Sequence, residues 1–181
     1  AMMEDAEQTG IFVEKMADFF RYNVKKGQED ATLGEELEAV DNYIYILNVR
    51  FAGDIHFNKD VDESLENVRV PSMILQPVVE NAVNHGIRDI EWEGKIHLTV
   101  TGDADYIRIS VKDNGKGMTP EQIESVLSGN KEHCNEQSDS TGIGMNNVIS
   151  RLELYYEEPG LVEINSDGEN KGTEVVIYIP V

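Results

Sequence analysis

The sequence predicts an α+β domain with helices packed on a largely antiparallel sheet. Three stretches carry that prediction. Residues 76–86, Gln-Pro-Val-Val-Glu-Asn-Ala-Val-Asn-His-Gly, read as a helix with two opposed faces. At about 100° per residue, Val78, Val79, Ala82 and Val83 share one arc, and that arc needs an apolar sheet beneath it. Residues 96–100 and 107–111 instead alternate with period two, as half-buried strands do. A third stretch, from Met145 to Tyr156, sets Met145, Val148, Ile149, Leu152 and Tyr156 on one helical face. Two short alternating runs follow it, near 161–166 and 173–179.

Composition bounds the function. The chain has 181 residues, 40% of them hydrophobic, enough for one well-cored domain and a small appendage. A net charge of −20 argues against nucleic acid or an anionic membrane as the main partner. A small anionic ligand remains open, since backbone amides alone can make a local site positive. The single cysteine, Cys134, permits no internal disulfide and fits a reducing compartment. No apolar run reaches membrane-spanning length. The opening Ala1-Met2-Met3 suggests an artificial boundary, so the chain is expected to be part of a longer protein.

The first element, about Thr9 to Lys26, is helical: Phe12, Met16, Phe19 and Phe20 fall on one face. Lys25 and Lys26 suit its C-terminus, and Gly27 suits the residue beyond. Thr32-Leu-Gly-Glu35 reads as a capping box. The next helix carries Leu37, Val40, Ile44, Leu47 and Phe51 at alternating steps of three and four. This pair is either a hairpin packed on its own domain or half of a dimerising bundle. Residues 54–60 and 68–70 read as short strands. Pro71 suits the first turn of the central helix. Pro77 removes a donor and clashes one turn back, so the helix kinks there or truly begins near Pro77. The strands at 96–100 and 107–111 pair as a hairpin across the turn Gly102-Asp-Ala-Asp105. Residues 118–141 form a long polar loop, with a short helix from Pro120 to Leu127 inside it.

Chemistry concentrates in four places. On the central helix, Glu80, Asn81, Asn84, His85 and Arg88 share the polar arc, a set that suits a ligand as well as water. Asp113-Asn-Gly-Lys-Gly117 ends a strand, and Asp113 has the parity of Ile107, Ile109 and Val111. Its carboxylate therefore points to the buried side, where it needs donors from local amides or from a ligand amine. Thr173 likewise shares the parity of Val175, Ile177 and Ile179. Gly142-Ile-Gly144 opens a helix, and a helix start with glycines binds phosphate well. It lacks the Gly-Lys-Ser/Thr ending of a P-loop and the third glycine of a dinucleotide fingerprint.

Taken in order, Glu80-Asn81-Ala82 with His85-Gly86, Asp113-x-Gly115-x-Gly117, Gly142-x-Gly144 and Gly172-Thr173 resemble the ATP-binding domain of sensor histidine kinases. That domain belongs to the superfamily shared with DNA gyrase, the heat-shock chaperone ATPase and the mismatch-repair ATPase. Leu75-Gln-Pro-Val-Val-Glu-Asn-Ala82, Phe20-Arg-Tyr22 and Leu33-x-Glu-Glu-Leu37 are similar to the subgroup that includes sensors of cell-wall and peptide signals. The resemblance implies a two-layer α/β sandwich of Bergerat type with a mixed, mostly antiparallel sheet. It divides the chain into a helical segment, 1–52, from the end of a dimerisation and phosphoacceptor region, and an ATP-binding domain, 53–181.

The same resemblance implies site roles. Asn81 would hold Mg²⁺, and Glu80 would polarise the attacking group or hold a metal-bound water. Asp113 would accept from the adenine amino group beside Thr173, with Gly115 and Gly117 admitting the purine. Gly142, Gly144 and the helix start from Met145 to Asn147 would cradle phosphates, with His85 and Arg88 nearby. Residues 118–141 would be a lid carrying Lys116 and Lys131 at or near it. The implied partners are ATP, a response regulator receiver domain and a second copy through upstream helices, in the cytoplasmic part of a membrane-anchored protein. None of the four histidines, His56, His85, His97 and His133, lies in the N-terminal helices, so the family's phosphoacceptor is expected upstream. The lid lacks the phenylalanine-centred motif of some members. An ATP-hydrolysing clamp, a serine kinase of the same superfamily and a nucleotide-sensing module are the competing functions.

Overall fold

A computed structural model describes residues 2–24, 30–50, 55–129 and 139–181, with side chains from residue 6 onward and, in the last segment, from residue 144. The expectations for Lys25, Lys26, Gly27, Phe51, Lys131, His133 and Cys134 lie outside those residues.

Helix α1 (Met2–Val24) precedes a short strand β1 (Asp30–Thr32) and helix α2 (Leu33–Arg50). The capping box forms as the sequence predicts: the Thr32 amide donates to Glu35 at 2.8 Å, and the Glu35 amide donates to the Thr32 hydroxyl at 3.2 Å. Phe19 of α1 stacks on Tyr43 of α2, while Tyr22, later in α1, meets Glu36, earlier in α2. The two helices are therefore antiparallel. Leu37, Val40 and Ile44 of α2 join the main core. Thus α2 packs on its own domain, as one of the two expected readings had it. In contrast, α1 leaves Ile11, Val13, Phe20 and Val24 exposed.

Strand β2 (Ile55–Val61) runs parallel to β4 (Gly94–Gly102), which pairs antiparallel with β5 (Tyr106–Asp113). β5 pairs antiparallel with β7 (Glu174–Pro180), and β7 with β6 (Val162–Asn165), giving the order β2-β4-β5-β7-β6. The predicted hairpin is present, and its register sets Leu98 against Val111 and Val100 against Ile109. Those residues, with Ile96, Ile107, Val175, Ile177 and Ile179, line one buried face. Above that face lie Val78, Val79, Met145, Val148 and Leu152 of α3 (Leu75–Asn81) and α5 (Asp139–Tyr156). On the other face Arg108 and Ser110 both donate to the Glu174 carboxylate. This is the mixed, mostly antiparallel two-layer arrangement that the sequence predicts. Helix α4 (Pro120–Ser128) begins in a Thr119–Gln122 capping box and ends at Gly129 in the left-handed region.

Two boundaries differ from the sequence expectation. Pro71 lies in strand β3 (Arg69–Pro71), opposite Asp30, and not in the central helix. Between Pro71 and the helix stands Met73 at φ 62°, a left-handed conformation that no right-handed helix can contain. The helix therefore starts at Leu75, close to Pro77, where the sequence allowed it to begin. The second difference is in α5. It starts at Asp139, so Gly142 and Gly144 lie inside it. An interior glycine costs about 1 kcal/mol relative to alanine, too little to stop a helix.

Candidate functional site

The central helix changes pitch in the middle of its polar motif. After α3, residues Ala82–Ile87 wind with the wider π spacing. Such segments are uncommon and gather at functional sites. The apolar arc is as predicted: Val78, Val79, Ala82 and Val83 are all buried. On the polar arc Glu80, Asn81 and His85 are half-buried, while Asn84 and Arg88 are exposed.

Gly86, at the end of that helix, meets the Asp113 turn. The Lys116 amide donates to the Gly86 carbonyl at 2.9 Å. A Cβ on Gly86 would stand 2.7 Å from the Asp113 carboxyl carbon, and one on Gly115 would stand 2.0 Å from the Gly86 carbonyl oxygen. These glycines are therefore required by contact, not only by the turn. Gly117, at φ +70°, is closed off in the same way by the Gly168 carbonyl.

Asp113 points to the buried side, as its parity predicts, and is only 5% exposed. Its Oδ1 accepts from the Gly115 amide at 2.8 Å and the Thr173 amide at 3.3 Å. Both bonds end on Oδ1, not Oδ2. Burial pushes the carboxyl above its ordinary pKa of 3.8, against the pull of those two amides. Thr173 is buried too, and it reaches Asp113 through its backbone: its amide donates to the carboxylate and its carbonyl accepts from the Asp113 amide at 2.9 Å. A Cβ on Gly172, at φ +77°, would stand 2.1 Å from the Asp113 carbonyl oxygen.

Asn81 supplies the other half of the site. Its Oδ1 is buried and accepts no hydrogen bond among the described residues. A buried acceptor without a donor is costly and points to a missing partner. Asn81 stands five residues before Gly86, at the junction of α3 with the π-wound segment. Glu80 accepts from the Gln76 amide at 2.7 Å. His85 has its pKa lowered from 6.5, first by burial and then by Lys116.

The glycine-opened helix start does not occur as expected. Free amides belong to the first turn of a helix. In α5 that turn is 139–142, so Gly144 and Met145 lie beyond it. The Met145 side chain is in the core, 1% exposed. A cleft of about 480 Å³ is lined by Lys116, Gly117 and Met118 and by Asp89 and Trp92. It shares Gly117 with the candidate site, but neither Asp113 nor Asn81 lines it.

Sequence reasoning gave no role to two residues. Asn114 ties the turn to β4, accepting from the Lys95 amide at 2.7 Å and donating to the Glu93 carbonyl at 2.9 Å. Glu36 of α2, 1% exposed, accepts from the amides of Met73, Ile74 and Leu75 at 2.6, 2.9 and 2.9 Å. Glu36 was legible in one respect: it stands three residues after Leu33 and four before Val40, on the apolar stripe of α2.

Residues 69–181 match the family model described as histidine kinase-, DNA gyrase B- and HSP90-like ATPase. The chain belongs to this family. Residues 1–55 match the histidine kinase model. The sensor histidine kinase YpdA of Escherichia coli (strain K12) is 33% identical over 166 residues, covering 91% of this chain and 27% of that protein. YesM of Bacillus subtilis (strain 168), also a sensor histidine kinase, is 28% identical over 180 residues, covering 99% of this chain and 29% of that protein. The chain thus spans under a third of these relatives. Among solved structures, the catalytic domain of histidine kinase ThkA superposes with a TM-score of 0.60 at 22% identity, covering 83% of this chain and 93% of that one. The mycobacterial sensor histidine kinase MprB gives 0.60 at 17% identity, covering 84% and 96%. These two likenesses bear on the fold. Among the described residues no helix is long and apolar enough to cross a membrane.

Proposed function

We propose that this chain is the ATP- and Mg²⁺-binding catalytic part of a sensor histidine kinase, with a helical segment at 1–52 and the ATP-binding domain at 53–181. It would transfer the γ-phosphoryl group of ATP to a histidine outside α1 and α2, which contain none. The observation that carries the reading is the orphaned Asn81 Oδ1, on the same helix whose Gly86 backs the buried Asp113 carboxylate.

The donor set fits the proposed metal. An amide oxygen suits a hard cation, and Mg²⁺ takes one or two protein ligands while water and phosphate oxygens complete its shell. When bound, the cation neutralises charge on the phosphates.

The remaining roles belong to the chain's own groups. Asp113 accepts from the adenine amino group through Oδ2, its Oδ1 being held by two amides. Gly115 and Gly117, whose Cβ positions are taken by the Gly86 and Gly168 carbonyls, hold the turn against which the purine would lie. Glu80, steadied by Gln76, accepts a hydrogen bond from the attacking imidazole and orients it. His85 is neutral at pH 7 and donates to phosphate. The phosphate cradle at Gly142, Gly144 and Met145 forms when the first turns of α5 unwind around the nucleotide, and residues 118–141 close over it. Phosphoryl transfer asks for little more than such positioning and charge neutralisation. The longer protein would dimerise, pass its phosphoryl group to a receiver domain and be anchored in the membrane with this part in the cytoplasm. The exposed apolar residues of α1 support the dimer.

The test is transfer of γ-phosphate from ATP in a version extended upstream to include a histidine-bearing helix. The expected label is acid-labile and base-stable. An acid-stable label on serine overturns histidine transfer, and phosphate release without labelled protein favours an ATP-hydrolysing clamp.

A further inference from the structure

The start of α3 is held by a residue of α2. The turn before the helix leaves the amides of Met73, Ile74 and Leu75 without helical acceptors. Glu36 of α2 takes all three on its two carboxylate oxygens. The same carboxylate accepts from the Tyr22 hydroxyl of α1. Arg151 of α5 lies near it and donates to the Ser72 carbonyl, which closes the turn from the other side. A buried carboxylate with one donor fewer would be a liability, because desolvation opposes its charge. Four donors, three from the turn into α3 and one from α1, make it a fixed point instead.

A second thread leaves the same turn of α1. Asn23 donates to the Gln76 side-chain oxygen at 3.5 Å, and Gln76, itself 3% exposed, donates to Glu80 at 2.7 Å. Adjacent residues of α1 therefore reach both the first turn of α3 and the carboxylate at its far end. α3 is only seven residues long, so a shift at its start is carried directly to Glu80 and Asn81.

We propose that Glu36 is a positioning residue for the metal site: it fixes the first turn of α3, and with it the direction in which Asn81 presents its amide oxygen, while Tyr22 ties that setting to α1. The inference rests on the reading of Asn81 as the Mg²⁺ ligand. It makes the geometry of the nucleotide site depend on where the end of α1 lies, so a displaced α1 withdraws a donor from Glu36.

The experiment is calorimetric titration of ADP, with Mg²⁺ and with EDTA, into the parent chain and into Glu36→Gln and Tyr22→Phe. Adenine recognition by Asp113 governs the affinity in EDTA, and Asn81 governs the gain on adding Mg²⁺. Glu36→Gln is expected to leave the affinity in EDTA unchanged and to cut the Mg²⁺-dependent gain about ten-fold, as loss of a residue orienting a metal ligand does. Tyr22→Phe, which removes one hydroxyl and leaves the three amide bonds, is expected to reduce the gain in the same direction by a smaller factor. A full Mg²⁺ gain in folded Glu36→Gln overturns the proposal, as does an equal fall in both affinities, which marks a merely structural role. If Glu36→Gln does not fold, Tyr22→Phe decides, and an unchanged gain there overturns the proposal. A parent that binds ADP with no Mg²⁺ gain overturns the metal role of Asn81 first, and the positioning role with it.

Discussion

Gly86 and Asp113 are in such close contact that a methyl group on the glycine would sit within 2.9 Å of all three carboxyl atoms. The glycine belongs to the central helix and the aspartate to the end of β5, so this contact joins the two halves of the candidate site. Gly86→Ala should push the carboxylate off its amides and leave a buried charge under-bonded. The expected outcome is a loss of about 2–3 kcal/mol of stability and of ADP binding. Thermal unfolding and calorimetry of one sample measure both. An alanine variant with parental affinity would show that this contact does not hold the site.

Asp113→Asn separates binding from folding. Asparagine keeps an Oδ1 for the Gly115 and Thr173 amides but replaces Oδ2 with a donor, which faces the adenine amino group. A lost hydrogen bond to a charged group corresponds to about a 10–100-fold weaker ADP affinity. The sign of the pH effect follows from the raised pKa. The folded carboxyl holds its proton more tightly than the unfolded one, so this group's contribution to stability falls as pH rises from 3.8 through the raised value. At neutral pH the asparagine variant should be the more stable protein, and that advantage should vanish below pH 3.8. Parental ADP affinity, meanwhile, should weaken as pH falls through the raised value, while the variant stays flat. Unfolding curves and ADP titrations across pH 3–8 check both signs.

What could be read from the sequence was local. Period-two alternation fixed the β4–β5 hairpin and the inward direction of Asp113, because parity along one strand needs no knowledge of the rest. The Thr32–Glu35 cap and the start of α3 near Pro77 were legible for the same reason. Pro71 was misplaced because the rule for proline at a helix start cannot see the left-handed Met73 that follows. Glu36 went unassigned because its donors lie 37 to 39 residues away. The parallel pairing of β2 with β4 joins strands separated by the whole of β3 and α3. No periodicity encodes that neighbour.

Asn81→Ala removes the orphaned oxygen. Alanine has no acceptor to leave unsatisfied, so the folded state should be no less stable by more than the helix surroundings require, and the Mg²⁺-dependent part of ADP affinity should disappear. Affinity in EDTA should persist, since Asp113 is untouched. A parent that binds ADP equally with and without Mg²⁺ would refute the metal assignment, whatever the variant does.

His85 should report phosphate directly. Burial and Lys116 hold its pKa below 6.5, so the folded state binds this proton less tightly than the unfolded state. Stability from this group is therefore present above pH 6.5 and lost as pH falls through the depressed pKa. A bound polyphosphate brings negative charge to the ring and should raise that pKa. Proton NMR titration of the imidazole, assigned with His85→Gln, should show a value below 6.5 that moves upward with ADP. An imidazole that titrates identically with and without ADP does not face the phosphates.

Gly144 tests whether α5 must open. Among the described residues, no heavy atom beyond its chain neighbours and the helix's own backbone lies within 4 Å of where its Cβ would stand, so an alanine methyl meets none of them. Inside a helix that substitution should stabilise the protein by about 0.5–1 kcal/mol, through lower chain entropy in the unfolded state. If the phosphates are cradled by this stretch only after α5 unwinds, the same substitution resists the unwinding. Gly144→Ala should then raise the unfolding temperature and weaken ADP binding together, by up to about five-fold, which is the same 0.5–1 kcal/mol read in the opposite direction. AMP, with fewer phosphates to cradle, should lose less than ADP. A stabilised variant with undiminished ADP affinity would mean that the helix stays closed and that the phosphates lie elsewhere.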